Sequence, residues 1–213
     1  MTSTPALVDL SLRDFVASLA ARTPTPGGGS MAAALAAAGS ALAAMACRFT
    51  SGEKFAAVEA AMARRVEALE RHRARGLELV DLDARSYDAV TAAYKLPKAT
   101  EAEKSARSAA IQAGMRGALE VPAETVEVAL AALRLAAEAL SDVNANLISD
   151  AASGAHCLHA ACEAALLNVR INATSLADKA HGAERLARAE EQCAEARRLL
   201  ASAQAVVARR MAG

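Results

Sequence analysis

Residues 53 to 94 run without a proline and with one glycine, Gly76, while apolar positions recur at Val66, Leu69, Leu77, Val80, Ala84, Tyr87, Thr91 and Tyr94. Those spacings of three and four residues gather the apolar groups on one stripe of a helix. A helix of this length crosses a whole domain, and its stripe is buried only if partners of similar length lie alongside. The rest of the chain supplies them. Hydrophobic residues make up 54% of the 213 residues, largely as alanine, whereas aromatics are 2% and Trp is absent. Alanine is the strongest helix former and lets helix axes approach closely. Strands would need β-branched and aromatic residues, which are sparse here. The expectation is an all-α, up-and-down helical bundle with long helices, one domain over residues 1–213.

Caps and breakers divide that bundle. Ser11 and Asp14 have capping-box spacing ahead of Leu12, Phe15, Val16 and Leu19, which predicts a first helix running to about Arg22. Thr23-Pro24-Thr25-Pro26-Gly27-Gly28-Gly29-Ser30 is kept out of helix by its prolines and glycines and reads as a loop ending in a helix N-cap. Small residues dominate from Ser30 to about Thr50, as in a central helix packed on several sides. Lys95-Leu96-Pro97-Lys98 ends the long helix, and Thr100 with Glu103 has the spacing of a second capping box. Further helices are expected over 101–116, 120–141, 146–170 and 178–210, with Pro122 in a first turn.

The 24 basic and 24 acidic residues cancel and are interleaved, leaving no basic face to recruit nucleic acid. The N-terminus lacks the charged and apolar regions of a secretory signal, and the nearest approach to a membrane span is the weakly apolar stretch 26 to 47. Without such a signal, Cys47, Cys157, Cys162 and Cys193 read as reduced thiols. The cytoplasm is the expected location, with neither membrane nor nucleic acid as partner.

Chemistry has several candidate homes. Three consecutive glycines before a helix let backbone N–H groups approach an anion or carbonyl, although a tight packing loop has the same composition. Asp81 and Asp83 sit mid-helix, about 70° (Asp83) and about 90° (Asp81) to either side of the apolar stripe, so Asp83 is the better placed to border a cavity. His156, His159 and Glu163 share a helical face near Cys157 and Cys162, but zinc sites draw on two separated ligand pairs and no second pair exists; packed thiols and a packed histidine are the plainer reading. Asn144-Ala-Asn146-Leu-Ile-Ser149-Asp150 concentrates polar side chains at a helix start, where capping explains one or two of them. Asn168 and Asn172 stand at i,i+4 among apolar residues, where an amide needs either a helix-helix hydrogen bond or a ligand.

Taken together, the glycine loop, Asp81-Leu-Asp83-Ala, Lys95-Leu96-Pro97-Lys98, Asn144 to Asp150 and Asn168-Val-Arg-Ile-Asn172 resemble, in order and near spacing, the formiminotetrahydrofolate cyclodeaminase family over roughly residues 11 to 205. Val143 stands where that family's asparagine motif has a glycine. The resemblance implies an enzyme of one-carbon units on tetrahydrofolate, either a cyclodeaminase forming 5,10-methenyltetrahydrofolate and ammonia or a cyclohydrolase forming 10-formyltetrahydrofolate. It implies Asp83 as the catalytic acid/base with Asp81 aiding it. It also implies Gly27, Gly28, Gly29, Ser30, Lys98, Asn146, Ser149, Asp150, Asn168 and Asn172 as substrate-binding groups. No metal and no cofactor beyond the folate substrate itself is implied, and a homodimer is expected, which the alanine-rich face of the second helix would suit. A non-catalytic folate-binding or helical interaction module, and a metal-binding bundle on His156 and His159, are the competing readings.

Overall fold

Three glycines decide how tightly the helices approach. In the computed structural model, which describes residues 6–212, a Cβ added to Gly39 would fall 2.7 Å from Cγ of Leu158 and 2.8 Å from the carbonyl oxygen of Gly154. At that point α2 (Gly28–Arg48) and α5 (Ile148–Ser175) meet backbone to backbone. Gly76 of α3 (Glu59–Tyr94) lies equally close to α2, where its Cβ would sit 3.0 Å from the amide nitrogen of Ala37. The second helix is therefore the hub: it packs against α3, α5 and α4 (Glu101–Ala139), and its alanines fill the seams. By length and composition alone α2 could cross a bilayer; here its buried face is enclosed by those three helices.

The described residues form an all-α bundle of six helices without strands, completed by a short α1 (Leu12–Leu19) and by α6 (Lys179–Ala212). Successive long helices alternate in direction, and fully buried leucines, among them Leu69, Leu119, Leu130, Leu133, Leu158 and Leu166, occupy the common core. Thr100 forms the complete capping box with Glu103 that its spacing predicts, and Ser11 accepts from the Asp14 amide at 3.1 Å.

Four boundaries differ from expectation. The first helix ends at Leu19. The central helix begins at Gly28 with Gly27 as its N-cap, so Ser30 is its third residue and not its cap. The long helix α3 begins at Glu59 and not at 53, where Glu53–Phe55 form a separate short 3-10 turn. Lastly, 101–116 and 120–141 are one helix with Pro122 inside it. A proline there has no N–H to give the carbonyl four residues back. That carbonyl, on Ala118, instead accepts from Nδ2 of Asn172 on α5 at 2.6 Å. A tertiary donor has replaced the missing helical one, so the helix continues.

Candidate active site

The glycine loop, the second half of α3, the first half of α4 and the end of α5 converge on a cavity of about 370 Å³. Its wall includes Gly27, Gly28 and Gly29, then Asp83, Ser86, Tyr87 and Val90, then Met115 and Ala118, and finally Asn168, Ile171 and Asn172. Asp83 sits against the N-terminus of α2. The Ser30 hydroxyl donates to its Oδ2 at 2.8 Å and the Ser30 backbone N–H donates as well. An acceptor from α3 thus caps α2, where the helix dipole favours an anion. This contact explains the last of the three glycines: a Cβ on Gly29 would overlap the carboxylate, 2.6 Å from its Cγ.

Burial pushes the Asp83 carboxyl above its ordinary value, and the two bonds from Ser30 oppose that without cancelling it. Such a group takes up a proton more readily than a solvated aspartate, which is the property an acid/base needs. Tyr87, Val90, Met115 and Ile171 give the cavity apolar flanks, and Tyr87 and Ile171 are exposed at its edge. No lysine or arginine among the described residues lines it.

The remaining residues singled out in the sequence lie elsewhere. Asp81 is on the opposite side of α3 from Asp83 and accepts from the Leu7 amide at 2.6 Å, tying down the N-terminal segment. Lys98 is exposed in the α3–α4 turn, and α3 runs about 17 Å past Asp83 before that turn begins. Asn146, Ser149 and Asp150 are at the other end of the bundle, since α5 rises about 27 Å between Asp150 and Asn168. There Asn144 closes the corner: it accepts from the Asn146 amide, donates to the Phe49 carbonyl and receives support from Thr50.

Among the described residues, no three of the His/Cys/Asp/Glu side chains are grouped to hold a metal ion. Glu163 bonds Arg197 at 2.8 Å and faces His159 at 3.7 Å, and burial pushes the Cys193 thiol up to about 11. Sequence reasoning missed Ser86, Tyr87, Met115 and Ala118. Tyr87 was visible as an apolar position on the stripe of Asp83, but nothing local marked the α4 residues.

Comparison with known proteins follows the same outline. The formiminotransferase-cyclodeaminase family profile matches residues 11–191. Methenyltetrahydrofolate cyclohydrolase of Methylorubrum extorquens is 38% identical over 187 residues, covering 87% of this chain and 90% of that protein. Formimidoyltransferase-cyclodeaminase of Rattus norvegicus is 40% identical over 177 residues, covering 81% of this chain but only 32% of its own length. The crystal structure of formiminotetrahydrofolate cyclodeaminase from Thermotoga maritima superposes with a TM-score of 0.80 at 29% identity, over 93% of this chain and 98% of that one.

Proposed function

This chain belongs to the formiminotransferase-cyclodeaminase family, and from that premise and the Asp83 cavity we propose a formiminotetrahydrofolate cyclodeaminase with Asp83 as the proton carrier. In this reaction N10 of the folate attacks the formimino carbon on N5, giving a tetrahedral carbon between the two nitrogens. Asp83 takes the N10 proton and delivers it to the departing amine as the carbon–nitrogen bond breaks. Ammonia leaves and 5,10-methenyltetrahydrofolate remains. As a carboxylate, Asp83 also stabilises the cationic amidinium on both sides of the step.

The single observation that carries this reading is the placement of one desolvated carboxylate, held by Ser30, on the wall of a cavity lined by no second carboxylate and no histidine, lysine or arginine among the described residues. Gly27, Gly28 and Gly29 let the ligand approach the backbone, and Asn168 and Asn172 supply polar contacts. A second reading is favoured by the relative from Methylorubrum extorquens, matched over nine-tenths of its length and named a cyclohydrolase. There water attacks the methenyl carbon, Asp83 moves one of its protons to N5 and the ring opens to 10-formyltetrahydrofolate. Absorbance at the methenyl band separates the two. Growth of the band from 5-formiminotetrahydrofolate identifies a cyclodeaminase, its accelerated loss from 5,10-methenyltetrahydrofolate identifies a cyclohydrolase, and neither change means a non-catalytic module.

A cytoplasmic homodimer is part of the proposal. The alanine face of α2 does not support it, being buried within the chain. Leu12 and Val16 do, since α1 exposes them at 79% and 54%. Sedimentation showing only monomer at micromolar concentration removes that part.

A further inference from the structure

The cavity's serine hydroxyls are already committed. Ser30 gives its hydroxyl proton to Asp83, Ser86 to the Asp83 carbonyl and Ser175 to the Ile171 carbonyl. Asn168 and Asn172 both turn their amide nitrogens to backbone carbonyls, of Ala164 at 3.1 Å and of Ala118 at 2.6 Å. A carbonyl only accepts, so these bonds fix which end of each amide is which. Neither Oδ1 accepts a hydrogen bond from the described residues. At i,i+4 the two amides stand one turn apart on the same face of α5. With the Asp83 carboxylate beside them and no cation on the wall, the site offers lone pairs to a ligand edge that is rich in N–H.

We propose that Asn168 and Asn172 read the N–H edge of the tetrahydropterin, its 2-amino group and ring N–H groups, and that Pro122 is a positioning residue that makes this possible. The argument rests on the folate reading above. Pro122 lacks the N–H that an ordinary helix would supply to Ala118. The vacancy anchors Nδ2 of Asn172, and the anchored amide leaves Oδ1 as its remaining acceptor toward the cavity. An acceptor wall also repels carboxylates, so the glutamate tail of the folate leaves by the open side.

Pro122→Ala restores an N–H that competes for the Ala118 carbonyl and releases Asn172. The test is binding of (6S)-5-formyltetrahydrofolate, a stable analogue, measured by calorimetry on the full chain, with thermal melting alongside. The expected result is that Pro122→Ala melts no lower than wild type, because a helix-interior proline is removed, yet binds at least tenfold more weakly. Asn172→Asp, which keeps the shape and the acceptors but cannot donate to Ala118, gives a similar loss. In an Asn172→Ala background the Pro122→Ala change has no further effect on binding, which a general loosening of α4 would not reproduce. Equal binding by Pro122→Ala and wild type overturns the positioning role, as does full additivity with Asn172→Ala. If wild type itself fails to bind the analogue, the folate reading falls and this inference with it.

Discussion

The two ends of α2 are both dressed with asparagine, and they use it differently. At the C-terminal end Asn144 spends everything on its own chain: Oδ1 accepts from Asn146, Nδ2 donates to Phe49, and its backbone N–H goes to Thr50. At the N-terminal end Asn168 and Asn172, both on a cavity wall, spend only their nitrogens and leave their oxygens without a partner among the described residues. Residue type does not separate a structural corner from a binding site. What separates them is whether acceptors remain after the protein's own carbonyls and amides have been served.

That contrast can be broken by substitution. The largest effect is expected from Gly29→Ala, whose methyl group meets the Asp83 carboxylate. It should abolish measurable turnover and lower stability by about 1–3 kcal/mol through overpacking, read as activity and a denaturant midpoint together. Asp83→Asn should cost about 10²–10⁴-fold in kcat while leaving the fold intact.

The sign of its stability effect follows from the raised pKa. Between the ordinary value of 3.8 and the higher folded value, the folded protein holds a proton that the unfolded chain has lost. Stability therefore falls as pH rises through that window, and the deficit persists above it. The variant lacks this group, so it should melt at or above wild type at pH 7, with the gap closing below about pH 4. The acid limb of the wild-type rate profile should lie above 3.8.

At the other end, Asn144→Ala should lower stability by about 1 kcal/mol, as loss of a cap does, with KM unchanged. Asn146→Ala, at an exposed position, should move stability by less than about 0.5 kcal/mol and leave KM alone. A tenfold rise in KM for Asn146→Ala would undo the comparison, because it would mean that the remote end reaches a site in another copy of the chain.

Much of this was legible in the sequence because the signals are local. The glycine run before a helix, the stripe that favoured Asp83 over Asp81, and the i,i+4 amides each needed only a few neighbouring residues. Positions along the bundle axis did not have that advantage. Which end receives Asn144 to Asp150 depends on the summed rise of several helices, and Lys98 is carried away from Asp83 by the full remaining length of α3. Pro122 misled for another reason: a proline reads locally as a helix boundary, and the donor that lets α4 continue lies on a different helix, 54 residues from the Ala118 carbonyl it serves.

The crossing of α2 and α5 at Gly39 and Gly154 also bears on how the cavity keeps its width. From that fulcrum α2 extends about 16 Å to the glycine loop and α5 about 21 Å to Asn168. The helices act as the arms of tongs pivoted on two glycines. A methyl group at the pivot would splay the jaws at a distance, altering the gap between loop and amides without touching either. The grip on a ligand is thus calibrated by two missing Cβ atoms, remote from any residue that meets it.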